Sequence, residues 1–139
     1  MGKISWGRVV VGGMVAGVVL NVVDFIVYGK LLAQDYNAAL QALGKGPTDN
    51  LIPLFIVLDF VYGIGLIWVY AAIRPRFNPG AKTAVIEGVA VWFFVFFLHE
   101  LGEAPLGILP QRLYTIGTIV GLIQYAVAGA VGAYLYREA

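Results

Sequence analysis

The chain has 139 residues, 60% of them hydrophobic and only 12% charged, with a formal net charge of +1 and no cysteine. Soluble domains run at roughly 45–50% apolar and about 25% charged residues, so this chain has too little polar material to wrap a core that faces water. Near-neutral charge without a basic run argues against a nucleic-acid partner, and the absence of cysteine excludes disulfides, thiolate catalysis and cysteine-ligated clusters.

Four windows are long and apolar enough to cross a bilayer as helices, which takes about 20 residues each. They are residues 6–28, 51–73, 83–101 and 113–136. Unbroken apolar runs of this length lack the period-two alternation of barrel strands, and only helices then satisfy every backbone donor and acceptor within lipid. The expected fold is an all-α membrane protein, a single four-transmembrane-helix bundle over residues 1–139.

Lys3 and Arg8 precede the first window as in a signal peptide. The apolar stretch runs on past Leu20 to Tyr28 with no small-x-small cleavage site, which predicts a retained signal anchor. Residues 29–50 follow, where Leu32, Tyr36, Leu40 and Leu43 recur at helical spacing before Gly44-Lys45-Gly46-Pro47 breaks the pattern. This predicts a short amphipathic helix in the first external loop, or an extension of the first span, either of which could lid the bundle. Residues 74–80 (RPRFNPG) form a connection rich in helix breakers, and Gly102 to Pro110 serves the same purpose before the fourth span.

Six basic residues (Lys3, Arg8, Arg74, Arg76, Lys82 and Arg137) fall on one side of this topology, against Lys30, Lys45 and Arg112 on the other. The excess places both termini in the cytoplasm, and the natural setting is a bacterial inner membrane. Gly13 to Asp24 overlays Gly88 to His99 without a gap, and Gly63, Trp68 and Tyr70 overlay Gly129, Tyr134 and Tyr136. This self-similarity is compatible with two tandem helical hairpins.

The residues of interest are the polar ones inside the spans. Counted from the basic residues at the inner boundary, at about 1.5 Å per residue, Asp24, Asp59, His99 and Gln124 all lie roughly 20–25 Å deep. Asn21 and Asp24 share a stripe with Gly13 and Gly17. Gln124 shares one with Gly117, Gly121 and Gly132, and Gly63 lies one turn from Asp59. Small residues at such spacing mark close helix contacts, so the polar groups beside them are expected to point inward. Ionisable groups in hydrocarbon cost at least ~2.5–3.5 kcal/mol each, which favours the neutral acids of Asp24 and Asp59.

Such a cluster of Asn21, Asp24, Asp59, His99, Glu100, Glu103 and Gln124 supports three readings. Facing polar side chains can simply hydrogen-bond across helices, in a non-enzymatic protein that works through helix contacts as an accessory subunit or homo-oligomer. The stripes Gly63 with Gly65 and Ala126 with Ala130 would then meet its partners. Alternatively Asp24, Asp59 and His99 share protons in a proton- or ion-coupled small transporter. Thirdly, His99 and Glu103, one turn apart, could ligate a metal together with Asp24 or Asp59. The single histidine cannot supply bis-histidine haem ligation, and residues 99–103 (HELGE) lack the second histidine of a zinc-protease motif. No cofactor is required by the sequence. Glu87, about one turn inside Lys82 and level with Arg8, is expected to form a buried or interfacial ion pair.

Overall fold

In the computed structural model, which describes residues 2–138, all regular structure is helical. Helix α1 spans Trp6–Ile26 and continues through a π-helical turn, Val27–Leu31. Helix α2 is the short Ala33–Ala42, and α3 runs over Ile52–Phe77 after a 3₁₀ turn at Asp49–Leu51. Helix α4 spans Ala81–Val91 and passes through a second π segment, Trp92–Phe97, into α5, Leu98–Glu103. Helix α6 covers Gln111–Tyr134. Joined across these turns, the four helices long and apolar enough to cross a membrane are Trp6–Leu31, Asp49–Phe77, Ala81–Leu106 and Gln111–Tyr134.

The boundaries differ from the sequence expectation chiefly at two places: the third long helix runs on to Leu106, taking in half of the expected Gly102–Pro110 connection, and the second runs on to Phe77. The residues 74–77 belong to α3, with Pro75 inside the helix. Having no N–H, Pro75 leaves the Ala71 carbonyl without its i+4 donor, and the helix ends two residues later. The connection to α4 shrinks to Asn78–Gly80, with positive φ at Asn78 and Gly80. It is pinned from both sides. The Thr83 hydroxyl donates to the carbonyls of Phe77 and Asn78, and the Gly80 N–H donates to the Tyr70 hydroxyl at 3.0 Å.

Helix α1 packs along α3, α6 joins α1 to α4, and α3 meets α4 and α6 more sparingly. Glycine makes these approaches possible. A Cβ on Gly13 would collide with the Ile64 backbone, one on Gly17 with Phe60, and one on Gly63 with the backbone of Gly13 and Gly17. Gly12 and Gly132 touch each other's carbonyls across α1 and α6, with 2.6 Å left for a Cβ on either. On the other side of α6, a Cβ on Gly88 would sit 2.5 Å from the Tyr125 carbonyl. Gly117 and Gly121 have a different use, leaving room for the Tyr28 hydroxyl and the Trp92 indole.

Val9, Ala16, Leu20, Leu66, Ile67 and Ala128 form the centre of the core, all 1% exposed or less. At the far end α2 lies over the start of α6, burying Leu32 and Ala39 against Leu113, and Arg112 pairs with Asp35 at 3.1 Å. Leu43, read as part of the apolar face of α2, lies beyond it and is exposed. Two ends of the bundle can thus be named. One carries α2; the other carries the α3–α4 turn and both chain ends, where the Ser5 N–H donates to Tyr136 and Arg74 lies 3.6 Å from Glu138.

The molecule is apolar outside and encloses a few polar side chains within an apolar core. Large side chains such as Val18, Phe25, Val57, Val61, Phe94, Leu101, Ile123 and Val127 are exposed, whereas Asp59, Thr83, Glu87 and Gln124 are buried. Gly63→Val should therefore destabilise the bundle by about 1–3 kcal/mol through overpacking. Gly65→Ala, which meets open space, should be neutral or stabilise by up to ~1 kcal/mol. Thermal unfolding in detergent followed by circular dichroism measures both.

Candidate functional site

Three helices bring polar groups together two-thirds of the way toward the α2 end. Asp24 sits near the end of α1, past the glycines that bring α1 against α3. That contact also sets Asp59 of α3 beside it, and the two carboxyls lie within hydrogen-bonding reach of each other. Gln124 joins from α6: its Nε2 donates to Asp24 Oδ1 at 2.8 Å and to the Leu20 carbonyl at 3.1 Å. Asn21, one turn below Asp24, donates through Nδ2 to the Gly17 carbonyl at 3.0 Å and more weakly to the Ile56 carbonyl of α3 at 3.4 Å.

Gln124 is 5% and Asp59 9% exposed, while Asn21 and Asp24 on α1 are half-buried. Tyr62 and Tyr125, with ring centroids 6.3 Å apart, flank the site, and the Tyr125 phenol is in electrostatic reach of both aspartates. Two carboxylates side by side in a low-dielectric interior repel strongly, whereas one shared proton turns repulsion into a hydrogen bond. The Gln124 amide meanwhile donates to Asp24 Oδ1. Two carboxyls so placed have the geometry to share a single proton.

His99, Glu100 and Glu103 do not join this group. The His99 side chain is 69% exposed, and its Nε2 pairs with Glu103 Oε2 at 3.0 Å, one turn on. Tyr114 donates to Glu103 Oε1 at 3.1 Å. The cause is the π segment Trp92–Phe97. One extra residue in a helix turns everything beyond it by about 100° around the axis, so a count at 3.6 residues per turn misplaces His99. The segment is held by the Trp92 indole, which donates to the Thr118 carbonyl at 3.0 Å, and by stacking of Phe97 on Trp92 and Phe93.

His99, Glu100 and Glu103 can each bring one donor atom within 4.8 Å of the others. Asp24 and Asp59, the other candidate metal ligands, lie outside that cluster. Under α2, Tyr36 stacks edge-on against Tyr28 at 5.5 Å, and burial pushes the Tyr36 phenol up to about 12. It stays neutral.

Glu87 corrects an expectation. It is 0% exposed, and neither carboxylate oxygen has a hydrogen-bond partner among the described residues. No ion pair forms with Lys82 or Arg8. Five residues separate Lys82 from Glu87, about 140° around the helix, so Lys82 is exposed while Glu87 faces α6. There Gly129 provides the space, since a Cβ on it would lie 2.7 Å from Glu87 Oε2. The small-residue stripes expected to meet partners are mostly used internally. Gly63 lies against α1, Ala126 against Gly88 of α4, and Ala130 against the core, leaving Gly65 open.

The chain matches no protein-family model, no curated protein and no solved structure. Functional argument therefore rests on the geometry above. Gln124→Leu should destabilise the bundle by about 1–3 kcal/mol, because it leaves Asp24 without its amide donor. His99→Ala, at an exposed position, should stay within about 0.5 kcal/mol. Detergent unfolding of both variants decides whether the interhelical site or the histidine matters to the fold.

Proposed function

We propose that this chain is an integral membrane protein that moves protons through its interior, as a proton-coupled carrier of a small solute or ion does. The bilayer assignment is supported by four helices long and apolar enough to span it, and by the reversal of polarity between surface and interior. A soluble protein rarely exposes contiguous apolar patches beyond a few hundred Å². The setting is a bacterial cytoplasmic membrane with both termini inside. Six basic residues favour that side, and the contact of Ser5 with Tyr136 brings both chain ends to the α3–α4 turn. The repeat of two helical hairpins is part of the same reading: α1 crosses α3 at Gly13 and Gly63, and α4 crosses α6 at Gly88 and Gly129.

The observation that carries the functional part is the Asp24–Asp59 carboxyl pair, hydrogen-bonded by Gln124 at the meeting of three helices. Carboxyl pairs are an expensive way to join helices, and intramembrane ionisable residues mark proton and ion pathways. Asp59→Asn keeps size and hydrogen bonding but removes the exchangeable acid. In liposomes carrying a trapped pH dye, proton uptake driven by a potassium diffusion potential should fall at least about tenfold in this variant. Equal uptake by wild type and variant would sink the assignment.

A second reading has its own observation. Residues 51–58 at the start of the second long helix are all exposed, so this part of α3 stands off the bundle. A second copy, or a larger membrane complex in which this chain is an accessory subunit, would cover it. Native mass spectrometry from mild detergent should then show a dimer or a co-purifying subunit; a lone monomer excludes this reading.

A further inference from the structure

Glu87 has no part in the acid pair, yet it is the most completely buried ionisable group in the bundle. Its surroundings are defined on every side. Helix α6 offers the Gly129 notch, and the Ala84 carbonyl shares that notch, 3.1 Å from the position of a Gly129 Cβ. The elements packed against α4 are α3 and α6; toward Glu87's end of the bundle they carry Tyr70, Arg74 and Arg76 on α3, Tyr125 and Tyr134 on α6, and Tyr136, Arg137 and Glu138 beyond it, while α4 itself carries Lys82. None of the basic ones forms an ion pair with Glu87, and the phenols make no hydrogen bond to it.

A carboxylate isolated in this way is costly. Moving a bare charge into a medium of low dielectric costs so much that the group takes up a proton instead. A leucine would fill the notch with no polar atom to satisfy; a carboxyl here, buried and without a partner among the described residues, is expected to rest as the neutral acid.

The position of Glu87 connects two features. Toward the α3–α4 turn, Ala84, one helical turn away, lines a cavity of 550 Å³ together with Tyr70, Arg74, Ala133, Tyr136 and Glu138. Arg74 reaches into this region with Nε and Nη1 free of hydrogen bonds and its guanidinium over the Tyr136 ring. Toward α2, Gly129 and Gln124 are five residues apart on α6, a difference in height of about 7.5 Å. Tyr125 lies between them: its carbonyl touches Gly88, next to Glu87, while its phenol is in reach of Asp24 and Asp59.

We infer that Glu87 is a second proton-binding site, the station between the turn-end cavity and the Asp24–Asp59 pair. This rests on the proton-moving role proposed above. Loading adds one proton to the carboxylate and gives the neutral acid. Unloading returns that proton to the cavity or passes it toward the pair, and the carboxylate charge reappears.

The test uses the full-length protein in liposomes and two readouts. Infrared difference spectra of wild type and Glu87→Gln, an isosteric neutral change, should show one protonated-carboxyl band at neutral pH that is missing from the variant. In the wild type alone, the protonated-carboxyl band should shift on transfer to deuterium oxide, and circular dichroism in the same liposomes verifies that the variant keeps its helix content. Potential-driven proton uptake should fall at least about tenfold in Glu87→Gln. If the two spectra superimpose in the carboxylic-acid region, Glu87 holds no proton and the inference is overturned. If Glu87→Gln takes up protons at the wild-type rate while Asp59→Asn does not, the station is overturned and the acid pair stands. If both variants take up protons normally, the route fails together with the reading it rests on.

Discussion

The bundle depends on how closely α1 approaches two other helices at once. In the bilayer setting proposed above there is no hydrophobic drive between helices, because acyl chains are as apolar as leucine. Association must come from close packing and interhelical hydrogen bonds. Gly13 and Gly17 let α1 meet the α3 backbone, and Gly12 lets it meet α6 at Gly132. Once α1 lies between them, Asp24 is within reach of Asp59 on one side and of Gln124 on the other. Larger residues at those glycines would push all three apart. Packing and polar site are therefore one device.

Much of this could be read from the sequence. Apolar runs of the right length gave four helices, and counting depth at a fixed rise per residue put Asp24, Asp59 and Gln124 at one level. Glycines in the same stripes then pointed them inward, because a residue beside a close contact cannot face lipid. The amphipathic segment after the first span was also visible, from Leu32, Tyr36 and Leu40, although its docking on Leu113 was not.

What could not be read has identifiable causes. Depth alone groups His99 with the aspartates and says nothing of the direction it faces, and nothing in residues 92–97 (WFFVFF) signals the wider π turns that rotate it away. Glu87 was expected to find a cation because Lys82 and Arg8 were near in height. Height says nothing of azimuth, and a five-residue separation puts Lys82 on the opposite side of α4. The fourfold layer of polar groups is consequently a threefold one, with a separate carboxyl nearer the turn. Partner-facing glycines and alanines were misjudged for a related reason: two sides of α6 are covered, so stripes that look spare on one helix are occupied in the bundle.

The connection between α3 and α4 is only Asn78–Gly80, and it is fastened by Thr83 and Tyr70. The α1–α3 and α4–α6 pairs are tethered at this elbow with almost no slack. Neither pair can slide past the other along the bundle axis. A swing of one pair about this elbow would have to undo the docking of α2 on Leu113 and the Arg112–Asp35 pair at the opposite end.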